Sequence, residues 1–216
     1  MKRIVLTIII ICFALSIYSE YEVGDHELIF MPTAYTMPKG SMYFSDYELF
    51  FINFTFAPTD RTHVGFFTLF PVTSQFLDYF ALGIKQNYFK TQNIESAAWF
   101  SFLAEAEGIS FGNVISIKNS NTSLHIAISQ VNGFEASKWE TIYMVGAKNK
   151  LSDSAAFIIE YGNTNTAIEN EFEGLLSLGI RLHSSKLAWD LAGVRILGED
   201  INDLLFLPMI KVTAKF

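Results

Sequence analysis

Cysteine is all but absent: the only one, Cys12, lies within the first nineteen residues. Without that leader the chain has no disulfide, no thiolate metal ligand and no cysteine nucleophile. Basic charge is also scarce, with 15 Lys and Arg against 22 Asp and Glu and a formal net charge of −7. A nucleic-acid partner needs a basic footprint, so that class is excluded. Beyond the leader, no apolar run approaches the roughly 20 residues of a spanning helix. There is no HExxH, no phosphate-cradling glycine loop and no EF-hand spacing. No metal and no cofactor are expected.

The leader has its own pattern. Lys2 and Arg3 are followed by an apolar stretch from Ile4 to Leu15, then by small Ser19 before Glu20. Residues 1–19 are read as a secretory signal peptide and 20–216 as one domain. Removing Lys2 and Arg3 brings the formal charge to about −9 by the same count.

What remains is rich in apolar and aromatic residues: half the chain is hydrophobic and 21 residues are Phe. These residues recur with a period of two. In "FEGLLSLGIRLH", Leu176, Leu178, Ile180 and Leu182 share one face, and Ser177, Gly179, Arg181 and His183 the other. Only a strand separates them so. Leu124, Ile126 and Ile128 likewise oppose His125, Ala127 and Ser129, and Phe157 and Ile159 oppose Ile158 and Glu160. Leu82, Ile84 and Tyr88 oppose Lys85 and Asn87. Around Phe51–Ile52 and Ala192–Gly193 the parity slips, which predicts bulges there.

Short polar turns at 58–61, 118–123, 150–154 and 183–186 alternate with longer connections such as 131–140 and 163–171. Short turns at one end and long loops at the other are the habit of outer-membrane barrels. The expected fold is therefore all-β, a closed antiparallel transmembrane β-barrel of about 12 strands, with about 10 as the alternative count. Eleven segments centre near 48, 66, 84, 100, 113, 126, 145, 158, 177, 191 and 210, and "ELIFMPTAYTM" at 27–37 is taken as the twelfth. The short turns are expected on the periplasmic side. A β-sandwich is the soluble competitor.

Two resemblances follow. The terminal "IKVTAKF" resembles the C-terminal insertion signal of bacterial outer-membrane β-barrel proteins. That resemblance implies that Ile210, Val212, Ala214 and Phe216 are grasped by the barrel-assembly machinery. The "LIFMPTAYTMPKG" stretch, with Pro32, Thr33, Ala34 and Gly40, is similar to the opening of uncharacterised bacterial barrels, some of them linked to exopolysaccharide export. It carries no catalytic residue.

On the barrel reading, Asp46, Glu48, Lys85, Glu105, His125, Lys148, Glu160, Glu173, Arg181, Arg195 and Lys211 form a lumenal charge network. Acids and bases on facing strands would pair across the lumen, since one sign alone is costly to bury. The network either fills the barrel or lines a polar path for small solutes. Trp99, Trp139 and Trp189 are expected in interfacial girdles. His125 with Ser123 and Ser129 is the best Ser–His pair for a lipid-modifying enzyme. Position 127 is Ala, however, and Ser123 precedes the histidine. The acidic group Glu199, Asp200 and Asp203 is expected as a solvated loop. The leading function is a small outer-membrane barrel, structural or a narrow passive channel, with outer-membrane lipid and lipopolysaccharide as its surroundings. A periplasmic or surface β-sheet protein in envelope assembly or adhesion is the alternative, and a lipid-modifying barrel enzyme comes third.

Overall fold

Period-two patterning gives each segment one face for the interior and one for the surroundings, and a sheet bearing such faces is relieved of its edges only by closing. The computed structural model describes residues 22–69, 79–104, 108–132, 139–165, 174–198 and 205–216. The expected signal peptide, the acidic group at 199–203, and Glu105 and Glu173 lie outside them.

Twelve strands form one closed barrel: β1 (Met42–Tyr47), β2 (Phe51–Thr59), β3 (Thr62–Leu69), β4 (Phe80–Lys90), β5 (Ile94–Leu103), β6 (Gly108–Lys118), β7 (Thr122–Asn132), β8 (Glu140–Ser152), β9 (Ala155–Thr164), β10 (Gly174–His183), β11 (Leu187–Leu197) and β12 (Leu207–Lys215). Each strand pairs antiparallel with its neighbours in sequence. β12 closes on β1 in a register running from Tyr43↔Lys215 to Tyr47↔Lys211. Five short connections, 60–61, 91–93, 119–121, 153–154 and 184–186, lie at one end, where β1 starts and β12 finishes. The longer connections lie at the other end, along with the tight turn 48–50.

The expected faces are observed. Ile126, Ile128, Ile180, Leu182, Phe157, Ile159, Leu82 and Ile84 are exposed on the outside, while Ala127, Ile158, Ser177 and Asn87 are buried within. Large apolar side chains on nearly every strand give the barrel an outer surface far more apolar than a water-facing surface sustains.

The count of twelve arises differently from the expectation. The segment near 48 is two strands, β1 and β2, joined by the turn Tyr47–Phe50, in which Phe50 N donates to Tyr47 O at 3.1 Å. Both central residues have positive φ, 59° at Glu48 and 63° at Leu49, the pattern of a type I′ turn. Asn and Gly announce such a turn; Glu and Leu do not. The parity slip at Phe51–Ile52 marks this hairpin, not a bulge. At Ala192–Gly193 the pairing is continuous, and the register shifts fall instead at Phe56/Thr59, Asn87/Phe89 and Lys150/Ser152.

The segment 27–37 is not a strand of the barrel. Residues 22–41 form a hairpin that enters the lumen at the short-turn end and returns to it. Its arms meet at the isolated bridge Glu27↔Pro32, and Leu28 N donates to Met31 O at 2.8 Å across the tip. Both arms finish at the short-turn end: Lys39 N donates to Asp60 Oδ1 at 2.7 Å, and Glu22 lies 3.2 Å from His183. The reason for the departure lies in the apolar pattern. Leu28, Ile29, Met31, Ala34 and Tyr35 are all buried without alternation, because the wall surrounds both faces of the segment. Leu28, Ile29, Met31 and Ala34 join Ala97, Val114, Ala127, Ile158 and Met209 of the wall in the main hydrophobic cluster. Gly146 leaves the room this needs, since a Cβ there would collide with Leu28 Cδ1. Trp99 also turns inward against this cluster and so belongs to no outer girdle.

A left-handed non-glycine residue costs roughly 1–2 kcal/mol, so Leu49→Gly is expected to stabilise the β1–β2 turn by about 1 kcal/mol. Urea unfolding into lipid vesicles measures it; a destabilised variant would show that the Leu49 side chain, not its backbone, matters.

Candidate functional site

Deep inside the barrel the hairpin cannot bond to the sheet, because the wall's strands are already paired to one another; only at its exit do Gly40 N and Ser41 O pair with Ala57 of β2. Those of its N–H and C=O groups that do not bond within the hairpin must then be met by side chains. Alternation supplies these: the polar residues of each strand's inner face reach the hairpin from several sides.

Arg181 on β10 is fully buried and uses all five N–H donors. Nε and Nη2 donate to the two oxygens of Asp190 on β11 at 2.6 and 2.8 Å, a bidentate pair between adjacent strands. The others go to hairpin carbonyls: Gly24 at 2.7 Å, Glu27 at 3.2 Å and Leu28 at 3.0 Å. Beside it Lys211 on β12 donates to Leu28 O at 2.5 Å and Ile29 O at 3.1 Å, with Glu27 and Asp190 carboxylates each 3.3 Å away. On β9, Glu160 accepts from three consecutive N–H groups, Ile29, Phe30 and Met31, at 2.9–3.2 Å. Cations thus take the carbonyls at the tip and a carboxylate takes the amides, each according to its charge.

The remaining contacts lie on either side. Lys148 on β8 pairs with Glu22 at 2.9 Å and Asp25 at 2.5 Å. Lys85 on β4 donates to His26 O at 2.8 Å and Thr33 O at 3.0 Å. Asn87 Nδ2 donates to Ala34 O at 2.9 Å, and His63 Nε2 accepts from Met37 N at 2.6 Å. Tyr47 donates its hydroxyl proton to Glu27 at 2.8 Å. Two cavities, of about 220 and 210 Å³, flank the half-exposed Phe30 at the tip. His26, His63, Lys85, Asn53 and Trp99 line the first, and Met144, Tyr161 and Leu175 the second.

Of the expected charge network, Lys85, His125, Lys148, Glu160, Arg181 and Lys211 face the hairpin. They are not arranged to pair across an open lumen, because the hairpin lies between them. Three others lie elsewhere. Asp46 has the parity opposite to lumenal Ser45 and Tyr47, and its carboxylate accepts from Leu49 N at 2.9 Å. Glu48 is exposed in the same turn and accepts from Ile210 N. Arg195 shares the outward parity of Trp189 and Leu191 and donates to Leu205 O at 3.1 Å; it would face inward only if β11 slipped at Ala192–Gly193, which it does not. Asp190, His63, Asn87 and Glu95 are further inward polar residues, outside the expected network. Asp190 was available to pattern alone, opposite Trp189 and Leu191 in "AWDLA". The hairpin's Glu22 and Asp25 lie outside every expected strand, and Glu27 opens the segment expected as the twelfth. Ile210 and Phe216 are exposed, and Val212 and Ala214 share the outward parity of β12.

His125 is fully buried between two hydroxyls, Ser116 at 2.7 Å from Nδ1 and Ser123 at 2.9 Å from Nε2, with Tyr35 edge-on at 5.4 Å. Ser116 also accepts from Ala34 N at 2.8 Å. Ser129 is not among these partners. The set pins β6, β7 and the hairpin together, and a substrate would have to displace the hairpin to reach it. Among the described residues no group of three or more His, Cys, Asp or Glu is placed to hold a metal ion.

No protein-family model and no curated protein matches the chain. Among solved structures it is similar to a mutant of the Rhodopseudomonas blastica porin, with 9% identity and a TM-score of 0.46 over 77% of this chain and 55% of that one. Acinetobacter baumannii OccAB2 gives 8% identity and 0.37 over 82% and 59%. Pseudomonas aeruginosa OccK9 (OpdG) gives 9% and 0.38 over 77% and 53%. The chain spans a little over half the length of these structures. Likeness this distant adds nothing to the barrel topology described above.

Removing Asp190 strands a buried guanidinium, an effect typically worth about 3–5 kcal/mol. Asp190→Ala is therefore expected to lower the unfolding free energy in vesicles by about 3 kcal/mol, the lower end because hairpin carbonyls still hold Arg181. An unchanged urea midpoint would show that the pair anchors nothing.

Proposed function

We propose that this protein is a small bacterial outer-membrane β-barrel that keeps its lumen shut with its own N-terminal hairpin. It is a passage for small solutes only when the hairpin leaves. One observation carries the reading: Arg181, Lys211, Glu160, Lys148 and Lys85, on five different strands, all bond to residues 22–33 inside the barrel. A filler needing only volume would have no use for these bonds. Beside its apolar packing through Leu28, Ile29, Met31 and Ala34, this hairpin is held by polar contacts that water could replace.

Membrane residence is supported by the closed ladder, which pairs every strand on both sides, and by the apolar outer face. The expected leader would deliver the chain across the inner membrane. The outward set Ile210, Val212, Ala214 and Phe216 is the proposed contact for the assembly machinery. The short-turn end, with both hairpin arms, is assigned to the periplasm, and lipopolysaccharide to the leaflet at the long connections. A purely periplasmic or adhesive sheet protein has no use for so apolar an exterior.

Two measurements test this. Ile126 is 54% exposed near the middle of β7. Ile126→Lys is expected to destabilise the protein in vesicles by about 2–4 kcal/mol if that face meets hydrocarbon; a neutral effect, or full solubility without detergent, would sink membrane residence. In planar bilayers the wild-type protein is expected to stay silent at low voltage, and a steady current would overturn closure by the hairpin.

A further inference from the structure

The charges on the two sides of the hairpin–wall contact are not alike. From the wall, Lys85, Lys148, Lys150, Arg181 and Lys211 reach the hairpin, against two wall carboxylates there among the described residues, Glu160 and Asp190. Glu95, also buried in the wall, already has Lys90 at 3.8 Å and Lys118 at 3.5 Å. The positive excess is met by the hairpin itself. Glu22 lies 2.9 Å from Lys148 and 4.0 Å from Lys150, Asp25 lies 2.5 Å from Lys148 and 3.9 Å from Arg181, and Glu27 lies 3.3 Å from Lys211. Among the described residues, five wall cations meet two wall and three hairpin carboxylates at this contact, besides the exposed Asp153 beside Lys150, so withdrawing the hairpin leaves the contact with an excess of positive charge.

The cations are also spread along the barrel. Lys150 is close to the short turn 153–154, where it meets Asp153 at 2.9 Å. Lys148 follows, Arg181 and Lys211 stand at the hairpin tip, and Lys85 lines the 220 Å³ cavity beside Phe30. Lys85 binds two hairpin carbonyls, and no carboxylate forms an ion pair with it among the described residues. Withdrawing the hairpin removes the three carboxylates and bares these cations in a low-dielectric wall, where a charge demands a counter-ion.

Resting on the closed-lumen reading above, we infer that the opened barrel selects small anions, and that the Glu22–Asp25–Glu27 arm is an internal stand-in for them. Chloride, phosphate or a small carboxylate would take the places that the three side chains vacate. Rings of Lys and Arg in a pore discriminate in this way. Because the hairpin is acidic and enters from the short-turn end, a field that draws negative charge toward that end favours opening, and the opposite field holds it shut.

The test is single-channel recording of the full chain under a potassium chloride gradient. In Glu22→Gln/Asp25→Asn/Glu27→Gln, with the wall intact, steps are expected whose reversal potential favours chloride over potassium by about threefold or more. Heat-modifiable gel migration checks that this variant assembles. The wild-type protein, whose folding no substitution disturbs, is expected to open at one polarity only, with the same selectivity. Openings that favour potassium or neither ion overturn anion selectivity and leave hairpin closure standing. A steady wild-type current at low voltage overturns closure itself. Silence of both proteins at every voltage overturns the inference.

Discussion

Every backbone N–H and C=O that is kept from water must find a partner, and this one constraint shapes both parts of the molecule. For the strands the solution is closure, with β12 returning to β1 so that no edge is left over. For the hairpin, which lies inside a wall whose backbone is already used, the solution is a set of long polar side chains. Arg181 satisfies three hairpin carbonyls and Glu160 three consecutive amides. Without those side chains the hairpin would keep only the few backbone bonds it makes within itself and at its exit.

Charged groups do this work better than neutral ones because each makes several bonds of one kind. A guanidinium offers only donors and a carboxylate only acceptors. The wall therefore sorts itself: cations stand where the hairpin turns its carbonyls outward and Glu160 where it turns its amides. The Arg181–Asp190 pair keeps the guanidinium in one orientation, with its remaining donors aimed at the hairpin carbonyls. Small residues complete the fit, with Gly146 giving Leu28 its space.

The filling is of two kinds. Leu28, Ile29, Met31 and Ala34 pack in the main hydrophobic cluster with the wall, while the ion pairs and carbonyl contacts around them are of the kind that water and ions can replace. His125 belongs to the same scheme: held between Ser116 and Ser123 with Tyr35 over it, it fastens two strands to the hairpin and has no surface left for chemistry.

The sequence by itself determined the strands and their faces, because alternation is a local property that a reader can follow two residues at a time. It placed Lys85, His125, Glu160, Arg181 and Lys211 inward for the same reason. Local pattern failed where the chain broke its own custom. The Glu48–Leu49 turn lacks turn residues, Arg195 lies beyond a slip that β11 does not make, and the apolar run Leu28–Met31 imitates a strand while folding back on itself. Only the tertiary structure decided what the inward charges hold. Ile29 and Glu160 are 131 residues apart, Gly24 and Arg181 are 157, and no periodicity links them. Alternation says that a side chain points into the barrel; what it meets there depends on a hairpin whose place is defined by all the strands that surround it.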